Sequence, residues 1–229
     1  MKKYLLKYSI EFLVIVMGIS ISFLMEKRNA NKYKEELKNQ SLQRIIKNTE
    51  VDLNDFDFNY NVNKSASKAI NWLVENNDNL LNISNDSVGF YLNNAVLLNT
   101  IFVDNQEEYR ALQNSGLIEL IENEKVVTYL QNKYIYHEFY KKIEAEIMTE
   151  GRALSDFLYE NTVLKDEKRD DYGYYYNRVS KLKNTIPNEV LERLKNKKGL
   201  HDYYVNAIKN RIINDSLLIN YLNTEAITQ

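Results

Sequence analysis

LLKYSIEFLVIVMGISISFLM, from Leu5 to Met25, is the stretch that decides the architecture of this chain. From Phe12 onward it carries no charged residue. A helix rises about 1.5 Å per residue, so roughly 20 residues match a hydrocarbon core about 30 Å thick. The stretch ends in FLM and then EKR, without the small residues of a signal-peptide cleavage site. It therefore predicts a retained transmembrane helix over residues 5–25, behind a basic tail over residues 1–4, rather than a cleaved signal peptide.

Three residues of the predicted span are candidates for a contact within the membrane: Glu11, Gly18 and Ser22. Carboxylates inside a span usually have a partner, and small residues four apart let two helices approach closely. The alternative for Glu11 is a position at headgroup depth, paired with Lys7 one turn earlier. The Gly18 and Ser22 spacing also occurs often by chance.

The residues IEFLVIVMGISI, from Ile10 to Ile21, resemble the opening of a family of uncharacterised single-span proteins from Bacteroidota. Those proteins have a basic tail, a GEIxLVxxGIxIA-like anchor and a helical domain. Glu11 and Gly18 fall on the family's Glu and second Gly. Ser9 stands at its first Gly, and Lys27-Arg28 lies where an Asn-Trp often follows.

A second match lies in the middle of the chain. EYRALQNSGLIELI, from Glu108 to Ile121, is similar to the family's YxxLxxSGxLxLI stretch, and Lys133-Tyr134 falls where a Tyr-Tyr often follows. The resemblance implies an anchor followed by a helical domain, and it implies no chemistry. It does strengthen the expectation of a specific contact at Glu11 and Gly18.

Composition predicts helices for the remainder of the chain. Its 229 residues include six glycines and one proline, Pro187, too few turn-forming residues for a β-sandwich or barrel of this size. Without cysteine the chain has no disulfide, thiolate metal site or cysteine nucleophile, and the redox compartment stays open. A net charge of −2 gives no general attraction to nucleic acid.

Periodicity divides the soluble part into a long juxtamembrane helix over residues 26–60 and a helical bundle over residues 61–229 packed on it. The stripe in the first helix is Leu42, Ile45, Thr49, Leu53, Phe56 and Tyr60, the spacing of one buried face. The fold class is therefore all-α: one N-terminal transmembrane helix continuing into a soluble antiparallel helical bundle. Within the bundle the pattern predicts helices over 64–75, 87–103, 105–115, 124–164, 187–195 and 202–222, with breaks at Gly116 and Gly199.

Two surface features are candidates for binding. The first turns after the span are basic and contain Lys27, Arg28, Lys32 and Lys34. These side chains either contact lipid headgroups or form an ordinary solvated face. A charged run then leads to an aromatic segment, which is an exposed binding loop or a linker whose tyrosines pack on the core; its tyrosines are Tyr172, Tyr174, Tyr175 and Tyr176.

Motifs of catalysis are absent from the sequence. His137-Glu138 begins like a zinc-protease motif, but the second histidine is replaced by Lys141, so the motif fails. Glu144, Glu146 and Glu150 lack the Glu-x-x-His partners of a di-iron site, and they read as a solvated acidic face. We therefore expect no enzyme, no cofactor and no metal.

The leading hypothesis is a non-enzymatic, membrane-anchored interaction protein, an accessory or scaffold subunit with a protein partner in the membrane. The alternative is a membrane-tethered helical-bundle sensor or signalling module. A homodimer through Gly18, Ser22 and the stripe is possible, but we favour packing of the stripe inside its own bundle. The expected location is the lipid bilayer of a bacterial inner membrane.

Orientation is left open by the count of basic residues. Lys2, Lys3 and Lys7 precede the uncharged stretch that begins at Phe12, and five basic residues follow the span closely, which slightly favours a cytoplasmic soluble domain. A short basic tail before the first apolar segment favours export as a signal anchor. The related proteins usually carry a longer and more basic tail, which would be costly to translocate. On balance the sequence predicts a periplasmic soluble domain.

Overall fold

The computed structural model describes residues 2–103, 105–165 and 178–227. Three long helices dominate this part of the chain, and shorter elements connect them. In chain order the elements are α1 (Lys2–Glu75), a 3-10 helix (Asn77–Asn82), α2 (Asn85–Leu97), α3 (Glu107–Asn114), a second 3-10 helix (Leu117–Leu120), α4 (Glu124–Asn161), β1 (Thr162–Leu164), β2 (Arg178–Ser180) and α5 (Asn188–Ile227).

The N-terminal part of α1 stands apart from the other helices. Every side chain from residue 7 to residue 34 is exposed, and Lys38 is the first buried one. The apolar part is long and hydrophobic enough to be a candidate membrane span, and none of it is buried against the protein. The Ser20 and Ser22 hydroxyls donate to the carbonyls of Val16 and Gly18 at 2.8 and 2.9 Å, which satisfies both groups within the helix.

The other part of α1 forms a three-helix bundle with α4 and α5. α5 packs against both α1 and α4 and runs antiparallel to them. Three apolar layers follow one another along the bundle because each helix contributes buried residues at regular spacing. The first layer includes Leu42, Leu130 and Leu222; the second includes Phe56, Tyr140 and Ile208; the third includes Ile70, Leu158 and Leu194.

The stripe predicted from Leu42 to Tyr60 lies on the buried face of α1. Leu42, Ile45, Thr49 and Phe56 have no exposed surface, and Leu53 and Tyr60 are half-buried. Because Leu42 and Ile45 belong to the first layer together with residues of α3, the second 3-10 helix, α4 and α5, the stripe packs inside its own bundle.

A small antiparallel hairpin was not predicted. β1 pairs with β2 so that Val163 lies opposite Val179, and β2 packs on α2. A Cβ atom added at Gly89 would lie 2.0 Å from the carbonyl oxygen of Arg178. Glycine at position 89 therefore lets the backbone of β2 lie directly on α2.

The turn at Gly116 is confirmed. α3 ends at Asn114, and Gly116 has φ = 71°, the left-handed conformation in which glycine commonly ends a helix. The chain that follows it forms the 3-10 helix Leu117–Leu120. Pro187 directly precedes α5, and its carbonyl accepts from the amide of Leu191 at 3.0 Å.

Two predicted breaks are wrong. The helix expected over residues 64–75 is the end of α1, because Ala66, Ala69 and Ile70 continue the same buried face without interruption. Gly199 lies inside α5 rather than between two helices. One exposed glycine lowers the stability of a helix by about 1 kcal/mol relative to alanine. The helix continues because Lys197 and His201, on either side of Gly199, are buried, and their burial outweighs this cost.

Two predicted helix ends are also wrong. The central helix stops at Leu97 rather than residue 103, because the amides of Phe102 and Val103 donate to carboxylates of other helices. α4 stops at Asn161, where the chain enters β1.

Candidate functional site

A groove of about 480 Å³ lies on the surface between α4 and α5. We call it the α4–α5 groove. Its residues are aromatic, amide-bearing or aliphatic with one arginine: Tyr136, Phe139 and Tyr140 from α4, and Tyr203, Asn206, Ala207, Asn210, Arg211, Ile213 and Asn214 from α5. This volume is within the range of about 300–1,000 Å³ that ligand sites in proteins occupy.

Large aromatic side chains form one wall of the groove. Tyr136 and Tyr203 are 48% and 56% exposed. The Phe139 ring lies between them, with ring centroids 6.0 Å from Tyr136 and 5.8 Å from Tyr203 in edge-to-face geometry. Tyr140 is buried beneath them, and burial raises the pKa of its phenol. Mutually packed rings present a rigid apolar surface at low entropic cost.

Three asparagines line the α5 side of the groove, one turn apart along the helix. Asn206 and Asn210 are exposed and Asn214 is half-buried. Within the part of the chain that the structure describes, their side-chain amides have no hydrogen-bond partner. By contrast, Asn59, Asn61 and other helical asparagines donate to the carbonyl four residues earlier. The amides in the groove are therefore available to a ligand.

Arg211 joins the floor of the groove to a buried charge network. Its Nη2 lies 2.6 Å from Asp215 Oδ1, and only 2% of the residue is exposed. Asp215 Oδ2 lies 2.9 Å from Lys133 Nζ, which lies 2.6 Å from Asp52 Oδ2. These four residues, Asp52, Lys133, Arg211 and Asp215, come from α1, α4 and α5 and separate the first apolar layer from the second.

The formal charge of this network is zero, with two cations and two carboxylates. Charges buried in a protein must be paired because desolvation would otherwise cost several kcal/mol per ion. Arg211 is already matched by Asp215 at the groove floor, and the remaining groove residues are uncharged. The groove therefore presents polar amides and aromatic rings with a balanced charge beneath them.

A second polar centre holds the segment after α2. Glu144 accepts a hydrogen bond from the amide of Phe102 at 2.8 Å and another from the hydroxyl of Tyr204. Asp55 accepts from the amide of Val103 at 3.1 Å. Burial raises the pKa of both carboxyls, and Glu144 is only 2% exposed. The prediction that Glu144 belongs to a solvated acidic face is therefore wrong, whereas Glu146 is exposed.

A third polar centre lies between the second and third apolar layers. His201 Nδ1 is 2.7 Å from Asn63 Oδ1, and the Asn63 amide donates to Thr100 at 3.0 Å. Lys197 donates to the carbonyls of Ala95 and Val96 at 2.9 and 2.6 Å, at the end of α2. Burial lowers the pKa of Lys197 to about 7 and that of His201 to about 3.

The residues singled out in the sequence lie elsewhere. Glu11 is 3.9 Å from Lys7, the pairing expected at headgroup depth. Among the described residues, no atom outside the local helix backbone lies within 4 Å of a Cβ built at Gly18, and Ser22 is exposed. The four basic residues Lys27, Arg28, Lys32 and Lys34 are exposed on α1. The tyrosines of the predicted aromatic loop, Tyr172, Tyr174, Tyr175 and Tyr176, lie outside the described residues.

Sequence reasoning missed the groove and the charge network. One signal was present: Asn206, Asn210 and Asn214 recur every four residues beside Tyr203, which places them on one helix face. Lys133 and Asp215 follow the buried spacing of their helices, but a charged residue at such a position is normally read as solvated.

Comparison with known protein families, characterised proteins and solved structures finds no match for this chain. The described residues also contain no cluster of three or more histidine, aspartate or glutamate side chains that could hold a metal ion.

Proposed function

We propose that this chain is a membrane-anchored interaction protein, an accessory or scaffold subunit whose helical bundle binds another protein. The observation that carries the proposal is the α4–α5 groove. It combines exposed aromatic rings with unpaired amides on a rigid two-helix surface. Tyrosine and other aromatic residues are enriched at protein–protein interfaces. Single apolar residues scattered over a surface are ordinary and do not indicate an interface.

The anchor supports the same proposal. α1 is a single helix from the candidate span into the bundle. From Met25 to Lys38, the first buried residue, the helix rises by about 20 Å. An uninterrupted helical stalk of this kind would hold the groove at a fixed distance from the bilayer, where a membrane-bound partner is within reach.

The test is isolation of the full chain from its native membrane in mild detergent. We expect a second protein to co-purify in constant ratio. Tyr203→Ala removes one exposed ring of the groove and should reduce the recovery of that protein. Phe58→Ala removes a comparably exposed ring on α1 and should leave recovery unchanged. A chain that migrates alone at monomer mass would overturn the proposal.

A sensor module is the second candidate, and one observation favours it. Arg211 lies both at the groove floor and in the network that joins α1, α4 and α5. A small ligand that moves Arg211 would act on all three helices. Thermal-shift screening with metabolites and ions tests this, because a ligand that binds only the folded state raises the melting temperature. A screen without a hit would exclude the sensor for those compounds.

Orientation belongs to the same proposal, with the bundle in the periplasm of a bacterial inner membrane. A C-terminal alkaline phosphatase fusion should be active, because that enzyme folds only where disulfides form. A matched green fluorescent protein fusion should be dark. An inactive phosphatase fusion together with a fluorescent protein fusion would place the bundle in the cytoplasm. Lys27 and Lys34 would then face the anionic headgroups of the cytoplasmic leaflet.

A further inference from the structure

The spacing of the three groove asparagines matches the repeat of an extended peptide. Asn206, Asn210 and Asn214 are separated by four residues, which is a rise of about 6 Å per step along a helix. An extended chain advances about 3.3 Å per residue, so its equivalent backbone groups recur about every 6.6 Å. Each asparagine amide carries a donor and an acceptor, the same pair of groups that a peptide unit offers.

We propose that the α4–α5 groove binds an extended, uncharged segment of the partner protein, with the backbone held by Asn206, Asn210 and Asn214. This proposal rests on the proposed function and specifies the chemistry of the partner. The amides are available for the role because no residue in the described ranges bonds to them.

The length of the groove sets the length of the segment. From Asn206 to Asn214 α5 rises about 12 Å, which corresponds to about four residues of an extended chain. Alternate side chains of such a segment point to the same side. Those on the side of α4 meet Tyr136 and Phe139, so aromatic or large aliphatic residues fit there.

The electrostatics of the groove select against a charged segment. Arg211 is the charged residue among those that line the groove, and Asp215 balances it at 2.6 Å. A charged side chain in the bound segment would lose its hydration without meeting an unmatched opposite charge, because Arg211 is already paired with Asp215. Neutral peptide groups add no charge and gain hydrogen bonds from the amides. The complementary partner is therefore a segment of uncharged residues.

Selection of displayed peptides on the full-length protein in detergent micelles tests the inference. The probe is a library of random linear peptides of about 12 residues, long enough to contain the four-residue extended segment. Enriched peptides should contain runs of about four uncharged residues with alternating large apolar side chains. One enriched peptide is then synthesised with a fluorescent label, and its dissociation constant is measured by fluorescence polarisation.

Substitution of all three groove asparagines by alanine should weaken binding of this peptide at least about tenfold, because each lost hydrogen bond costs about 2- to 10-fold. The matched control replaces Asn220 and Asn223, two exposed asparagines of α5 outside the groove, and should not change the affinity. Alanine favours helix more than asparagine, so both variants should fold, which circular dichroism verifies. N-methylation of alternate backbone amides in the peptide should also abolish binding.

Three outcomes would overturn the inference. The first is that the peptide binds the triple variant as tightly as it binds wild type. The second is that the enriched peptides are charged. The third is that chitotetraose, a neutral sugar suited to rings and amides, binds while no peptide is enriched. The membrane isolation separates this failure from failure of the proposed function. A partner that co-purifies equally with wild type and triple variant refutes only the peptide groove. No co-purifying partner with wild type refutes the interaction protein itself.

Discussion

The ammonium of Lys133 lies 2.6 Å from a carboxylate oxygen of Asp52, and neither side chain has more than 1% of its surface exposed. This ion pair connects α4 to α1 through the interior of the bundle. Lys133 also lies 2.9 Å from Asp215 of α5, so the three long helices meet at one ammonium group. A slip of one helix along its axis would separate Lys133 from a carboxylate, so the network favours the observed register of the three helices.

Removal of the lysine should destabilise the protein strongly. Lys133→Met removes the ammonium that the buried carboxylates of Asp52 and Asp215 share, and loss of one partner costs about 3–5 kcal/mol in buried ion pairs of this kind. Unfolding by urea, followed by circular dichroism, measures the loss. Lys195→Met breaks an exposed pair with Glu192 and should cost less than about 0.5 kcal/mol.

A double variant separates the charge from the volume of the side chain. Adding Asp52→Asn to Lys133→Met removes the charge of the Asp52 carboxylate as well, while Arg211 and Asp215 remain paired. The double variant should therefore be more stable than Lys133→Met alone. Additive losses from the two substitutions would show that the ion pair does not account for the effect.

Acid sensitivity should follow from His201. Its pKa in the folded protein is about 3, lowered first by burial and then by Lys197, although Asp202 raises it. An unfolded histidine titrates near a pKa of about 6.5, so below that pH the unfolded chain binds a proton that the folded chain excludes. Stability from this group is complete above about pH 6.5 and is lost as the pH falls from there toward 3.

The size of that effect can be measured by comparison with a variant. Between pH 7 and pH 5 the wild-type protein should lose about 2 kcal/mol through His201. His201→Gln cannot take up a proton and should lose correspondingly less over the same interval. Glu144 and Asp55 act in the opposite sense, since their raised pKa values favour the folded state on acidification, but they contribute equally to both proteins. Equal losses in wild type and variant would contradict the assignment.

Burial of Leu42 predicts that two copies of the chain do not meet through the α1 stripe. The protein has no native cysteine, so Leu42→Cys introduces a single thiol. Because Leu42 is completely buried in the first apolar layer, oxidation in the membrane should give no disulfide-linked dimer. Gln43→Cys, next to it and exposed, reports whether oxidation works on an accessible site. A dimer through position 42 would show that the stripe is an interface between copies.

The helices could be predicted where apolar spacing was regular, as it is from Leu42 to Phe56, because burial of one face decides such a segment. The prediction of helix boundaries was wrong where groups distant in the sequence determine them. α2 stops at Leu97 because Glu144 captures the amide of Phe102, a contact 42 residues away in the chain. The charge network could not be predicted for a related reason. Lys133 is buried because Asp52 and Asp215, from two other helices, pair with it.

Substitution by alanine should lower the stability of the protein at Gly89 and raise it at Gly199. A Cβ at Gly89 would lie 2.0 Å from the Arg178 carbonyl oxygen and 2.8 Å from the Ser180 amide nitrogen. Both are backbone atoms of β2 and cannot rotate away, so Gly89→Ala must displace the strand from α2. Forcing extra atoms into such a site costs about 1–3 kcal/mol or more, whereas Gly199 has open space around it inside α5. Gly199→Ala should raise stability by about 0.5–1 kcal/mol, because alanine loses less entropy in a helix.

Thermal unfolding of both variants beside wild type measures these shifts. Hydrogen exchange at Val179 and Ser180 should also accelerate in Gly89→Ala and not in Gly199→Ala, since only the first displaces β2. If Gly89→Ala melted with wild type and left this exchange unchanged, the close contact between β2 and α2 would be wrong. The carbonyl oxygen of Arg178 would then have to lie farther than 2.0 Å from a Cβ atom at position 89.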